Sequence, residues 1–141
     1  MTCADAAGLH RAMFAAIERR DLDALRGLFA VDATHTSPDG ELTTGPEPVI
    51  AEVRAFVEAF PDLTIDLRHQ HAPDPTRSII EYTFRGTHTG PLEEVPPTGR
   101  FVTVVACSVL EARDGVIDRE SDYYDTTSML YQLGVRGAEP G

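Results

Sequence analysis

The stretch Ile80-Glu81-Tyr82-Thr83-Phe84-Arg85-Gly86-Thr87-His88 decides the fold class. Ile80, Tyr82, Phe84 and His88 stand on one parity, and Glu81, Thr83, Arg85 and Thr87 on the other. A two-residue period of this kind is that of a strand with one face in a core and the other toward water. The preceding run repeats it: Leu63, Ile65, Leu67, His69 and His71 alternate with Thr64, Asp66, Arg68 and Gln70. Ala72-Pro73-Asp74-Pro75 turns the chain between these two strands. Downstream, the Pro/Gly-rich loop Gly90–Gly99 leads to a strand over Phe101–Ala112, a hairpin turn at Arg113-Asp114-Gly115, and a strand over Val116–Tyr124.

Upstream the period is helical. Leu9, Met13, Ala16 and Ile17 recur on one side of a first helix. Asp21 is the expected N-cap of a short second helix with Leu22, Leu25, Leu28 and Phe29 on one side. Val31–Asp39 is an extended piece ending in the turn Ser37-Pro38-Asp39-Gly40. Gly45-Pro46 opens a third helix with a broad stripe of Val49, Ile50, Val53, Phe56, Val57 and Phe60. Met129, Leu130 and Leu133 suit a short closing helix that ends at Gly134, and the tail from Arg136 is expected to be flexible. Helices followed by long strands predict an α+β domain: a cone-shaped, curved mixed or antiparallel sheet with the N-terminal helices on its concave face. The mouth of such a cone is a natural small-molecule pocket.

The chain has 141 residues, 42% of them hydrophobic, which suits a single domain with its core over about residues 8–134. Acidic residues outnumber basic ones 23 to 12, for a net charge of −11. That balance argues against nucleic acid and anionic membranes as partners. The longest apolar run, Phe101–Leu110, is broken by Thr103 and Ser108 and is too short to span a bilayer. Met1-Thr2-Cys3-Ala4-Asp5 has neither the charged nor the apolar region of an export signal, so a cytoplasmic location is expected. Cys3, at an end expected to fray, and Cys107, inside an apolar run, make no disulfide framework.

Further motifs follow a recognisable order: Gly86-Thr87-His88-Thr89-Gly90, Pro96-Pro97-Thr98-Gly99-Arg100, Asp114-Gly115, Asp122-Tyr123-Tyr124-Asp125 and Gln132-Leu133-Gly134. Their order and spacing over residues 8–134 resemble the SnoaL-like polyketide cyclases of the nuclear transport factor 2-like superfamily, which also holds ketosteroid isomerase. The resemblance implies that fold and an intramolecular aldol ring closure or related isomerisation, run without metal or cofactor. It implies an aspartate on the last strand as general acid/base, helped by a histidine on the strand before. An ungapped count puts the aspartate at Asp122 and puts Ser108 at the histidine position. Serine has no pKa near neutrality with which to shuttle protons. A third pocket position corresponds to His35, whose imidazole is a candidate replacement.

Each candidate has a plainer alternative. Asp122 lies among Asp118, Arg119, Glu120 and Asp125, which together also suit a solvated acidic strand face. Inside an apolar cone, however, its carboxyl pKa would rise toward a range useful for proton transfer. Tyr82, Phe84, Tyr124 and Tyr123 are expected as cavity wall and rim, and Ser108 as a hydroxyl contact to substrate. His88 is either a pocket residue or, as its place in the motif favours, a structural hydrogen bonder to the Gly90–Gly99 loop. His69 and His71 share a strand face and hold zinc only if a third ligand converges, so no metal is expected. Cys107, on the opposite parity to Ser108, reads as a small core residue. Ser108 has no evident base partner, so a Ser-His-Asp hydrolase is not supported.

The expected function is a cyclase- or isomerase-type enzyme acting on a polyketide or another small hydrophobic, keto-bearing metabolite. A cofactor-independent hydroxylase or epoxide-opening enzyme is one alternative, and a non-catalytic small-molecule-binding protein is another. Apolar residues alternating on the outer sheet face (Phe101, Val105, Cys107 and Val109) predict a homodimer or homotetramer.

Overall fold

The alternating half of the chain forms the sheet and the helical half covers it. A computed structural model describes residues 4–135; Cys3 and the tail from Arg136 lie outside the described residues. The elements are α1 (Ala6–Arg19), α2 (Leu22–Gly27), β1 (Phe29–Thr36), β2 (Leu42–Thr44), α3 (Pro46–Ala59), β3 (Thr64–Asp74), β4 (Arg77–Thr87), β5 (Phe101–Arg113), β6 (Val116–Tyr124) and α4 (Thr126–Gln132). The six strands make one curved, open sheet in the order β2-β1-β6-β5-β4-β3. Every neighbouring pair is antiparallel except β1 and β6, which run parallel.

Local chemistry sets the helix boundaries. The carboxylates of Asp5, Asp21 and Asp125 accept the backbone N–H of Gly8, Ala24 and Ser128, capping α1, α2 and α4. Gly45, at φ +87°, and Pro46 start α3. Two boundaries differ from the sequence reading. Helix α2 stops at Gly27, and Phe29 opens β1, where its amphipathic position serves the sheet instead. Strand β2 has only three residues, too few to show alternation.

Even-numbered residues of β4 and β5 point into the core: Ile80, Tyr82 and Phe84, then Val102, Val104, Ala106 and Leu110. The roof over them comes from α1 (Leu9, Met13, Phe14) and α3 (Val49, Ile50), while α2 contributes Leu25. Fully burying a side chain such as Ile50, Ile80 or Phe60 stabilises the fold by about 1.5–3 kcal/mol each. Cys107 is not a core residue. It is half-buried on the outer face, on the parity of the exposed Phe101 and Val105. Tyr123 is likewise exposed on that face, so it forms no part of a cavity wall.

The loop after β4 docks on the end of α3 through glycine. A Cβ on Gly90 would lie 2.1 Å from the Glu58 carbonyl oxygen, and one on Gly86 would lie 2.9 Å from the Phe60 Cβ. Thr89 and Gly90 both donate their backbone N–H to the Ala59 carbonyl at 3.1 Å. Among the described residues no helix is long and apolar enough to cross a membrane.

Candidate active site

Between the helical roof and the concave sheet lie two chambers that share lining residues. The inner one has a free volume of about 670 Å³ including its open mouth. Its walls are apolar: Met13, Phe14 and Ile17 from α1, Val53 and Phe56 from α3, and Ile65 and Phe84 from the sheet. The rings of Phe14 and Tyr82 lie 4.7 Å apart, and Phe84 meets Tyr124 edge-on at 5.3 Å and Phe56 edge-on at 5.8 Å. Such packing holds an aromatic wall in place before any ligand arrives. The outer chamber shares His35, Glu52, Phe56 and Tyr124 with the inner one and carries Asp39, Glu41 and Glu93.

Strand register brings the polar groups together. Parallel pairing sets His35 of β1 opposite Glu120 of β6, and Asp122 follows Glu120 on the same inward parity. His35 donates from Nδ1 to Glu120 Oε1 at 2.7 Å and from Nε2 to Glu52 Oε2 at 3.1 Å. Burial alone would lower the His35 pKa, but the bonds to Glu120 and Glu52 more than offset it and hold the imidazolium up to about 10. Burial likewise works against the Glu120 anion, and His35 outweighs it, keeping that carboxyl below its ordinary value. Asp122 goes the other way. Burial and the adjacent Glu120 charge push its pKa well above the ordinary range, which favours its protonated form. The Tyr82 hydroxyl donates to Asp122 Oδ1 at 3.3 Å.

Behind this cluster lies a second, fully buried set. Ser108 Oγ donates to Glu120 Oε2 at 2.6 Å and lies 2.8 Å from His10 Nε2, while His10 Nδ1 lies 2.7 Å from Ser78 Oγ. Desolvation lowers the His10 pKa to about 4, so its ring is neutral near pH 7.

The structure therefore gathers Asp122, His35, Tyr82, Phe84 and Tyr124 around one cavity. It does not bring Ser108 or His88 to the cavity surface. Ser108 does have a base neighbour in His10, contrary to the sequence reading. Its hydroxyl is nevertheless buried and directed at Glu120, so Ser108 does not face a substrate as a nucleophile. His88 is buried against Phe60, and its Nδ1 is bonded to the hydroxyl and the backbone N–H of Thr98 in the Gly90–Gly99 loop. That is the structural alternative for His88. His69 and His71 are exposed, with His71 paired to Glu81 at 2.9 Å.

Three site residues are not evident from the sequence reading. Glu120 shares the parity of Asp122 but reads as part of an acidic face. Glu52 interrupts the apolar stripe of α3 between Val49, Val53 and Phe56, a signal the sequence does carry. His10 lies beside Leu9 and Met13 on the buried side of α1, and nothing local distinguishes it from an ordinary core histidine. Among the described residues, His35, Glu120 and Asp122 form the one group whose donor atoms lie within 4.8 Å of one another. Both His35 nitrogens and both Glu120 oxygens are already taken up in bonds within the protein, an arrangement built as an ion pair and not as an open ligand set.

The same architecture occurs in known proteins, although no curated protein matches the sequence. Among solved structures, AclR from Streptomyces galilaeus, a proposed hydroxylase, is 26% identical with a TM-score of 0.82, over 95% of this chain and 83% of its own. IdmH from Streptomyces antibioticus, a proposed polyketide cyclase, is 27% identical with a TM-score of 0.79, over 92% of this chain and 98% of its own. A Catenulispora acidiphila protein with a ketosteroid isomerase-like fold, 22% identical with a TM-score of 0.76 over 94% of this chain and 97% of its own, shares the architecture. Residues 7–133 match the SnoaL-like polyketide cyclase family along its characteristic fold, and the chain belongs to that family.

Proposed function

We propose that this protein is a cofactor-free acid/base enzyme that cyclises or isomerises a small, hydrophobic, keto-bearing molecule, with Asp122 as the proton-transfer group. One observation carries the reading: a buried carboxyl group whose pKa is pushed upward lines an apolar cavity beside a partner, Glu120, whose pKa is pushed down. Asp122 can supply its proton to a carbonyl oxygen and, as the carboxylate so formed, take one from the carbon to be activated, while Glu120 stays ionised beside it. In an aldol closure the activated carbon loses a proton, the new C–C bond forms, and the carbonyl oxygen gains a proton, so the pair ends as it began. A conjugated substrate spreads the enolate charge over its own carbonyls, leaving the walls of Tyr82, Phe84 and Tyr124 to fold it and exclude water. His35 acts here by holding Glu120 ionised, since both of its N–H groups are occupied.

The lining supports a neutral, apolar substrate: among the described residues no arginine lines either chamber, the chain has no lysine, and the cationic His35 is already bonded to Glu120 and Glu52. Similarity to AclR supports a second reading, cofactor-independent hydroxylation in the same cavity. The test is turnover of a panel of linear and cyclic polyketide ketones. Asp122→Asn should lower the rate by about two to four orders of magnitude while ligand affinity changes far less. Wild-type turnover in the Asn variant would remove Asp122 from the mechanism.

A further inference from the structure

His10, Ser78 and Ser108 are fully buried behind the cavity and take no part in the chemistry proposed above. We propose that His10 is a positioning residue which, through Ser108, places the proton of the Glu120–Asp122 pair on Asp122 and keeps Glu120 ionised. This rests on the reading of Asp122 as the proton-transfer group.

The hydrogen-bond donors fix the direction. Gln70 Oε1 receives Arg11 Nη1, so Nε2 is its amide nitrogen, and the two amide hydrogens go to the Ala7 carbonyl at 3.0 Å and Ser78 Oγ at 3.1 Å. Ser78 Oγ therefore accepts from Gln70, and its own hydrogen is free for His10 Nδ1. His10 Nδ1 is then the lone-pair nitrogen and Nε2 carries the hydrogen, which reaches Ser108 Oγ. Ser108 in turn gives its hydrogen to Glu120 Oε2. Every bond from Arg11 to Glu120 donates the same way. The lowered pKa of His10, from burial, agrees with the neutral ring this chain requires.

A proton added to Glu120 would weaken the pattern: the bonds from Ser108 to Oε2 and from His35 Nδ1–H to Oε1 would go to a neutral carboxyl instead of an anion. Reversing Ser108 would require the other His10 tautomer. That tautomer would leave the hydrogen of the buried Ser78 hydroxyl without an acceptor, since its other partner, Gln70 Nε2, is itself a donor. Asp122, which accepts only the longer Tyr82 bond at 3.3 Å, is the carboxyl with room for a proton. The groups facing Glu120 are thus His35 from β1, Ser108 from β5, Asp122 on its own strand and, one step further out, Glu52 from α3, Tyr82 from β4 and His10 from α1. An imidazole from the first helix, acting through a serine, stands in for the histidine that Ser108 replaces on β5.

Two measurements on the whole protein, neither needing a substrate, test this. ¹⁵N NMR of the histidine rings at pH 7 should show His10 as the neutral Nε2–H tautomer; an Nδ1–H or doubly protonated ring overturns the proposal, with no variant needed. ¹³C-carboxyl titration of Ser108→Ala should show Glu120 titrating about one pH unit higher than in wild type and Asp122 lower, the shift expected from losing one charge-assisted bond. Unchanged titration of both carboxyls in that variant also overturns it. Loss of turnover in Asp122→Asn tests the underlying function separately, so the two failures are distinguishable.

Discussion

Replacing Asp122 by asparagine tests the proton-holding state of the site with the protein alone. In the folded chain, burial and Glu120 keep the Asp122 carboxyl protonated well above its ordinary range. In the unfolded chain an aspartate ionises near pH 3.9. Folding therefore takes up one proton at every pH between that value and the raised folded one, and Asp122 makes the protein less stable as pH rises. The slope for one proton is about 1.4 kcal/mol per pH unit, or about 2.7 kcal/mol between pH 5 and pH 7. Asparagine is neutral in both states and removes this slope while keeping the shape and the acceptor for Tyr82. His10, with its pKa lowered to about 4 by burial, also titrates in this window but tilts both curves alike and cancels in the difference. Urea unfolding at pH 5, 6 and 7 should thus show Asp122→Asn gaining on wild type. With a slope of about 2 kcal/mol per molar urea, the midpoint difference should widen by about 1.4 M across that range. Parallel curves, with a difference constant to about 0.5 kcal/mol, would mean that Asp122 is already ionised in the folded protein and holds no proton to transfer.

His35→Gln strips Glu120 of its buried cation and should cost about 3–5 kcal/mol at pH 7, read as a lower unfolding midpoint. Because the raised pKa of His35 lies at about 10, its contribution is present below pH 6.5 and lost as pH rises through 10, so the gap to wild type should narrow in alkali. Gly90→Ala drives a Cβ to 2.1 Å from the Glu58 carbonyl and parts the two bonds to Ala59; a loss of about 3–5 kcal/mol is expected in thermal unfolding. Phe101, Val105 and Tyr123 stand 59%, 69% and 54% exposed on the outer sheet face, and sedimentation should show a second copy covering them; a strict monomer at micromolar concentration would reject that. Val105→Glu should shift such a dimer to monomer without altering the circular dichroism of the fold.

Period and punctuation are local properties, and the amino-acid order carries them directly. The switch from a helical to a two-residue repeat near Pro61, the caps at Asp21 and Gly45-Pro46, and the turn at Asp114-Gly115 place the helices and long strands, whereas the turn expected over Ala72–Pro75 falls at Pro75-Thr76, with Pro73 still inside β3. The motif order from Gly86 to Gly134 points to the family and to Asp122. Alternation divides a strand into two faces but does not say which is inward. Sequence therefore offers Cys107 both as a core residue and as part of the outer face, where the structure puts it, and leaves the orientation of the wall residues open. Orientation rests on which face the helices cover, a non-local property.

The polar cluster is less local still. His35 bonds Glu120 across 85 residues of sequence, and His10 bonds Ser108 across 98. Parallel pairing of β1 with β6 and the docking of α1 on the sheet make those meetings, and no spacing in the chain announces them. Glu120 and Asp122 carry the same functional group on nearly the same side chain two residues apart, yet their pKa values are pushed in opposite directions. Sequence determined that two carboxyls would share a strand face. Only the tertiary structure, by supplying His35 and Ser108 to one of them and an apolar cavity to the other, decided which would hold the proton.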